Sequence, residues 1–124
     1  MTEHPEPGGK LLRRDYWLVL STPLAPTTAA DFERHLADHL TWLLRLEDEG
    51  TVLMSGPLTS GPGTRPGSGV TVLRAESADH ARQIADADPF VVAGLRTPEV
   101  FRWQVNEGAI NIRVSLGTGT YAWD

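Results

Sequence analysis

The sequence predicts an α+β protein, a ferredoxin-like βαββαβ sandwich with two helices on one face of a four-stranded antiparallel sheet and a C-terminal β extension. Three observations predict it. Apolar residues recur at helical spacing in two stretches and at strand spacing in four others, in the order strand, helix, strand, strand, helix, strand. The longer helical stretch runs straight into a β-rich run, so that Asp31 to Pro57 forms one continuous helix-to-strand unit. Both helices carry their own start and stop signals: Thr27 or Thr28 and Gly50 for the first, Ser77 and Pro89 for the second.

Taken in order, residues 1–12 are rich in Pro, Gly and Glu and hold too little apolar surface to fold, so a disordered tail is expected there. The folded domain is placed at 13–106. Asp15 to Ser21 is nearly continuously apolar, with aromatic and β-branched residues, and reads as a strand. A proline-punctuated connection leads to the long helix, where Phe32, Leu36, Leu40, Leu43 and Leu44 form an apolar stripe expected to lie on the core. The second strand is Thr51 to Pro57. Residues 58–69 are dominated by Gly and Pro and are expected to be a flexible surface connection, with a lid carrying Arg65 at its tip as the sharper alternative. Gly69 to Ala75 is the third strand, and a Ser77-capped helix then runs to Asp88, where Pro89 stops it. Phe90 to Leu95 is short and apolar, enough for one extra turn, and Glu99 to Val105 alternates as the fourth strand. The extension, 107–124, holds a strand-like run at Ile110 to Leu116, a Gly-Thr-Gly turn and a terminal aromatic pair. The sheet face away from the helices would expose Trp17, Trp103 and the strand valines, an apolar surface that pairing in a two-fold homodimer, or a higher homo-oligomer, would cover.

Composition narrows the function. With 124 residues, 40% hydrophobic and 22% charged, the chain fits one globular domain with a modest core. A net charge of −5, with the arginines scattered, disfavours a phosphate-backbone binder, so no nucleic acid is expected as a partner. No apolar run is long enough for a membrane span and the N-terminal residues lack a secretory pattern, which points to the cytoplasm and away from membranes. Cysteine is absent, which excludes disulfides, thiolate catalysis and cysteine-ligated metal.

Two residues break the local pattern. His39 places an ionisable ring on the apolar stripe of the first helix. Asp88, read as the last turn of the second helix, faces the negative end of the dipole at a cost of about 0.3–1 kcal/mol unless compensated. A buried carboxylate needs a cationic or hydrogen-bonding partner, and an imidazole held by a carboxylate is a general base suited to neutral pH. His39 and Asp88 are therefore the candidate catalytic pair, serving proton transfer on a small-molecule substrate without a cofactor. The competing reading is a non-catalytic dimeric module that binds a small ligand or a partner, in which the two form a structural pair. Ser55, Gly56 and Pro57 close a strand and are candidates for substrate contact, Ser55 as a hydrogen-bond donor and the backbone near Gly56 for a developing oxyanion. Trp17, Phe90, Trp103 and Trp42 are candidate apolar walls. His35 and His39 stand four apart, but without a third ligand no metal site is expected.

The spacing H-L-x2-L-x2-L-x3-G-x5-G-P from His39 to Pro57, followed by A-x-x-D-P-F-x-x-x-G from Ala85 to Gly94, resembles the two signatures of the YciI-like, or YCII-related, proteins across residues 15–105. The resemblance implies a ferredoxin-like subunit that dimerises into an α+β barrel, with His39 and Asp88 as a catalytic dyad in a cleft. It implies cofactor-free proton transfer on a small aromatic or lactone-like molecule, of lyase or isomerase type, because one branch resembles dehydrochlorinases and muconolactone isomerases share the fold. The loop at 58–69 and the tail beyond Asn106 fall outside the family core.

Overall fold

The computed structural model describes residues 11–123, and residues 1–10 of the expected disordered tail lie outside the described residues. The elements are β1 (Arg14–Pro23), α1 (Ala29–Asp48), β2 (Val52–Pro57), β3 (Gly69–Leu73), α2 (Ala78–Asp86), α3 (Pro89–Val92), β4 (Arg96–Val105), β5 (Ile112–Ser115) and β6 (Thr120–Trp123). Strands β1 to β4 form one sheet in the order β2-β3-β1-β4, with β3 antiparallel to both β1 and β2, which is the ferredoxin-like arrangement. Trp17 lies opposite Leu73 and Val19 opposite Thr71 on one ladder, while Ser55 lies opposite Thr71 on the other. Among the described residues, no helix is long and apolar enough to cross a membrane.

Trp17, Val19, Leu46, Val52, Leu73, Ala81 and Ala85 make the core between sheet and helices, with Trp42, Leu43, Ile84 and Val100 packed around it. Helix α1 begins with a capping box in which Thr28 N–H donates to Asp31 Oδ2 (2.8 Å) and Asp31 N–H donates back to Thr28 Oγ1 (3.4 Å). The helix rests on its Phe32, His39 and Leu46 side, each one heptad apart and all buried. The expected stripe is thereby corrected. Leu36, Leu40 and Leu44 are 44%, 43% and 57% exposed, and Leu36 and Leu40 border an open cleft instead of packing in the core.

The second helix is also shorter than its pattern suggests. α2 stops at Asp86 with Ala87 as its C-cap, and the chain restarts at Asp88 as the N-cap of α3. Asp88 is thus not in a last turn opposing a helix dipole. It sits at a helix start, where its carboxylate accepts from Phe90 N–H (3.0 Å).

The loop between β2 and β3 is tethered rather than free. Leu58 N–H donates to the Ser68 carbonyl (3.0 Å), the Arg65 guanidinium to the Pro23 carbonyl (2.8 Å) and Arg96 Nη1 to the Gly67 carbonyl (3.1 Å). Asp15–Gln104 form one compact unit. A second unit joins the described residues before Asp15 with those from Val105 on, where Leu12 N–H donates to the Asn106 carbonyl (2.9 Å). In it β5 and β6 pair as an antiparallel hairpin that sets Ile112 opposite Trp123 and Val114 opposite Tyr121.

Candidate active site

The site is built where α1, α3 and the start of β4 meet. His39 comes from the buried side of α1, Asp88 and Phe90 from the cap and first turn of α3, and Arg96 from the first position of β4. The Asp88 carboxylate, 3% exposed, receives donors on both oxygens. Oδ1 takes His39 Nδ1 (2.7 Å) and Phe90 N–H (3.0 Å), and Oδ2 takes Arg96 Nη2 (2.7 Å) and Nε (3.1 Å). Burial alone would raise the Asp88 pKa. The His39 hydrogen bond, the Arg96 charge, the Phe90 N–H and the Arg96 hydrogen bond outweigh it and hold the carboxyl below its ordinary range.

An ionised carboxylate only accepts, so His39 Nδ1 carries the proton of that bond, and in the neutral ring Nε2 carries the lone pair. Among the described residues Nε2 has no hydrogen-bond partner, while the ring it belongs to borders a cleft. The imidazole is stacked on Phe90, centroids 4.1 Å apart at 15°, and Phe32 meets the same phenyl edge-on at 5.0 Å.

The cleft has a volume of about 370 Å³, ample for a single substituted ring. Phe32, Leu36, Leu40, Leu43 and Phe90 give it apolar walls. Ser55, Thr71 and Ser68 add hydroxyls, with Ser55 Oγ and Thr71 Oγ1 2.9 Å apart. Gly67, Gly69 and Val70, with Gly56, Pro57 and Arg96, complete the lining. Gly67 is required there: its φ is +99°, and a Cβ would stand 2.1 Å from the Phe32 ring. Among the described residues, no three His, Cys, Asp or Glu side chains gather where a metal ion would sit.

His39 and Asp88, 49 residues apart in sequence, are hydrogen-bonded, and Ser55, Gly56, Pro57 and Phe90 line the cleft beside His39. Three expected contacts lie elsewhere. Trp17 is 6% exposed and belongs to the core, its indole N–H donating to the Ala75 carbonyl (3.1 Å), because β1 turns it toward the helices rather than to an open face. Trp103 is 44% exposed on the opposite sheet face, since Val100, three residues earlier on β4, points into the core. Arg65 is held at the end of β1 by the Pro23 carbonyl and does not reach the cleft. Trp42 stands behind His39, ring centroids 5.9 Å apart. Sequence reasoning missed Arg96, Thr71, Phe32 and Ser68. For Arg96 a signal existed, because a buried aspartate demands a cation and this arginine follows it by eight residues.

Residues 17–104 match the YCII-related domain. The chain belongs to the YCII-related domain family. The matched segment contains His39, Asp88 and Arg96 and stops short of β5 and β6. Among relatives, the Bacillus subtilis (strain 168) protein YjpA is 31% identical over 75 residues, 60% of this chain and 82% of that one. Protein YciI of Escherichia coli O6:H1 is 42% identical over 62 residues, 46% of this chain and 63% of that one. Among solved structures, the 5-chloro-2-hydroxyhydroquinone dehydrochlorinase TftG of Burkholderia phenoliruptrix AC1100, in complex with 2,5-dihydroxybenzoquinone, superposes with a TM-score of 0.59 at 28% identity, covering 72% of this chain and 93% of that one.

Proposed function

We propose that this YCII-related protein is a cofactor-independent lyase or isomerase acting on a small ring-shaped metabolite, with His39 as the general base and Asp88 as its orienting carboxylate. The observation that carries the reading is the 2.7 Å bond between His39 Nδ1 and a buried, ionised Asp88 at the wall of an open apolar cleft. In this reading Nε2 removes a proton from the substrate, and the imidazolium that forms is stabilised by Asp88. In an elimination the C–H electron pair becomes the new double bond and the leaving group departs with its own pair. In an isomerisation the same proton returns to a different atom. The flat, apolar walls suit an aromatic or unsaturated ring, and the Ser55–Thr71 hydroxyl pair suits a ring hydroxyl or carbonyl. The likeness to a chlorohydroquinone dehydrochlorinase supports this class and makes hydroxylated, halogenated rings the first substrates to try. We further propose that the working form is a homodimer and that it resides in the cytoplasm.

The test is incubation in D₂O with chlorinated hydroquinones and unsaturated lactones, following chloride release, double-bond movement and C–H exchange by NMR. Turnover by the wild-type protein is expected, falling by about 10²–10⁴-fold in His39→Ala. A folded His39→Ala protein with full turnover would remove the reading.

A further inference from the structure

We propose that Arg96 is a positioning residue for the His39 imidazole, acting through Asp88, and that the same guanidinium sets one wall of the cleft by holding Gly67. The inference deepens the proposed proton-transfer reading and rests on it for the role of His39. Arg96 is 8% exposed, and its side chain is committed in three directions. Nε and Nη2 both donate to Asp88 Oδ2 (3.1 and 2.7 Å), Nη1 donates to the Gly67 carbonyl (3.1 Å), and the guanidinium carbon lies 5.0 Å from the centre of the Phe90 ring.

Two consequences follow for His39. A planar fork with two donors on one oxygen fixes the rotation of the carboxylate, which leaves Oδ1 aimed at Nδ1 and locks the Nδ1–H tautomer. The arginine also balances the carboxylate charge. Asp88 and Arg96 are the charged groups facing His39 from α3 and β4. The lining from β2, β3 and their connecting loop is hydroxyl, backbone and apolar, and the nearby ionisable groups of α1 itself, His35 and Asp38, do not line the cleft.

The Gly67 bond couples this pair to the loop. Gly67 admits no Cβ against Phe32, so the carbonyl that Arg96 grips belongs to the backbone segment pressed on the wall of the cleft. An arginine that served only to neutralise a buried aspartate would need neither this third bond nor the fork.

The experiment is NMR of ¹⁵N-labelled wild-type, Arg96→Gln and Arg96→Lys proteins at alkaline pH, with the His39 signals assigned by their absence in His39→Gln. In wild type, neutral His39 is expected as the Nδ1–H tautomer. Arg96→Gln is expected to show a mixed tautomer. Arg96→Lys keeps the charge without the fork, so its tautomer is expected to become mixed as well. A folded variant of either kind with a wild-type tautomer would overturn the proposal, and Arg96→Lys decides the matter if Arg96→Gln does not fold. No turnover is needed, so full activity in His39→Ala would defeat the enzyme reading while leaving the tautomer result standing.

Discussion

At the scale of single residues, the pair at the cleft is asymmetric. Asp88 is held by four donors and His39 by one hydrogen bond and its ring stack. Asp88→Ala leaves Arg96 buried without its counterion and should cost about 3–5 kcal/mol. His39→Ala leaves Asp88 still paired with Arg96, and its ring borders an open cleft, so a smaller loss of about 1–2 kcal/mol is expected from urea unfolding. A loss in His39→Ala as large as in Asp88→Ala would favour the structural-pair reading instead. Asp88 also makes a pH prediction. Its folded pKa lies below the unfolded value of 3.8, so its contribution to stability is present above that value and is lost as pH falls through the depressed folded value. Urea midpoints of wild type should therefore fall more steeply below about pH 4 than those of Asp88→Asn, which lacks this titration. Parallel acid profiles would show that the folded state does not depress the carboxyl.

At the scale of elements, the ends of helices and the tether of one loop do most of the placing. Thr28→Ala removes the capping box of α1 and should cost about 1 kcal/mol in thermal or urea unfolding. The loop between β2 and β3 carries a stronger constraint. Gly67→Ala faces both a left-handed φ of +99° and a clash with Phe32, and should cost about 1–3 kcal/mol. Since Phe32 and Gly67 both border the cleft, the same substitution should disturb ligand binding beyond its effect on stability, which ligand-observed NMR on the folded variant can check. Unchanged binding would mean that the loop wall is dispensable. The break between α2 and α3 matters as much, because it converts Asp88 from a helix-end residue into a cap whose carboxylate is presented to His39.

At the scale of the whole molecule, the compact unit Asp15–Gln104 leaves Met54, Phe101 and Trp103 between 44% and 48% exposed, on the sheet face away from the helices. Apolar side chains in that position are what a second copy would cover, and on this ground we expect a dimer in analytical ultracentrifugation. Phe101→Glu combined with Trp103→Glu should shift the wild-type species toward monomer. A wild-type protein that sediments as a monomer at micromolar concentration would remove the expectation. Within the second unit, the β5–β6 hairpin sets Ile112, Val114, Tyr121 and Trp123 on a single face, each at least 60% exposed.

Much of this protein was legible in one dimension. Strand and helix periods, the Thr28 and Ser77 caps and the Gly50 stop act within a few residues of chain, so the order of elements and the ferredoxin-like class follow from local pattern. The misfit of His39 and the Asp-Pro-Phe step marked the site for the same reason: each violates or punctuates a local rule. What the pattern left open needed the third dimension. The side of α1 that meets the sheet, the exclusion of Trp17, Trp103 and Arg65 from the cleft, and the grip of Arg96 on both Asp88 and Gly67 depend on contacts between residues far apart in the chain. Burial and pairing of charge are properties of the packed fold, and a residue's own neighbours in sequence carry no record of which cation will reach it.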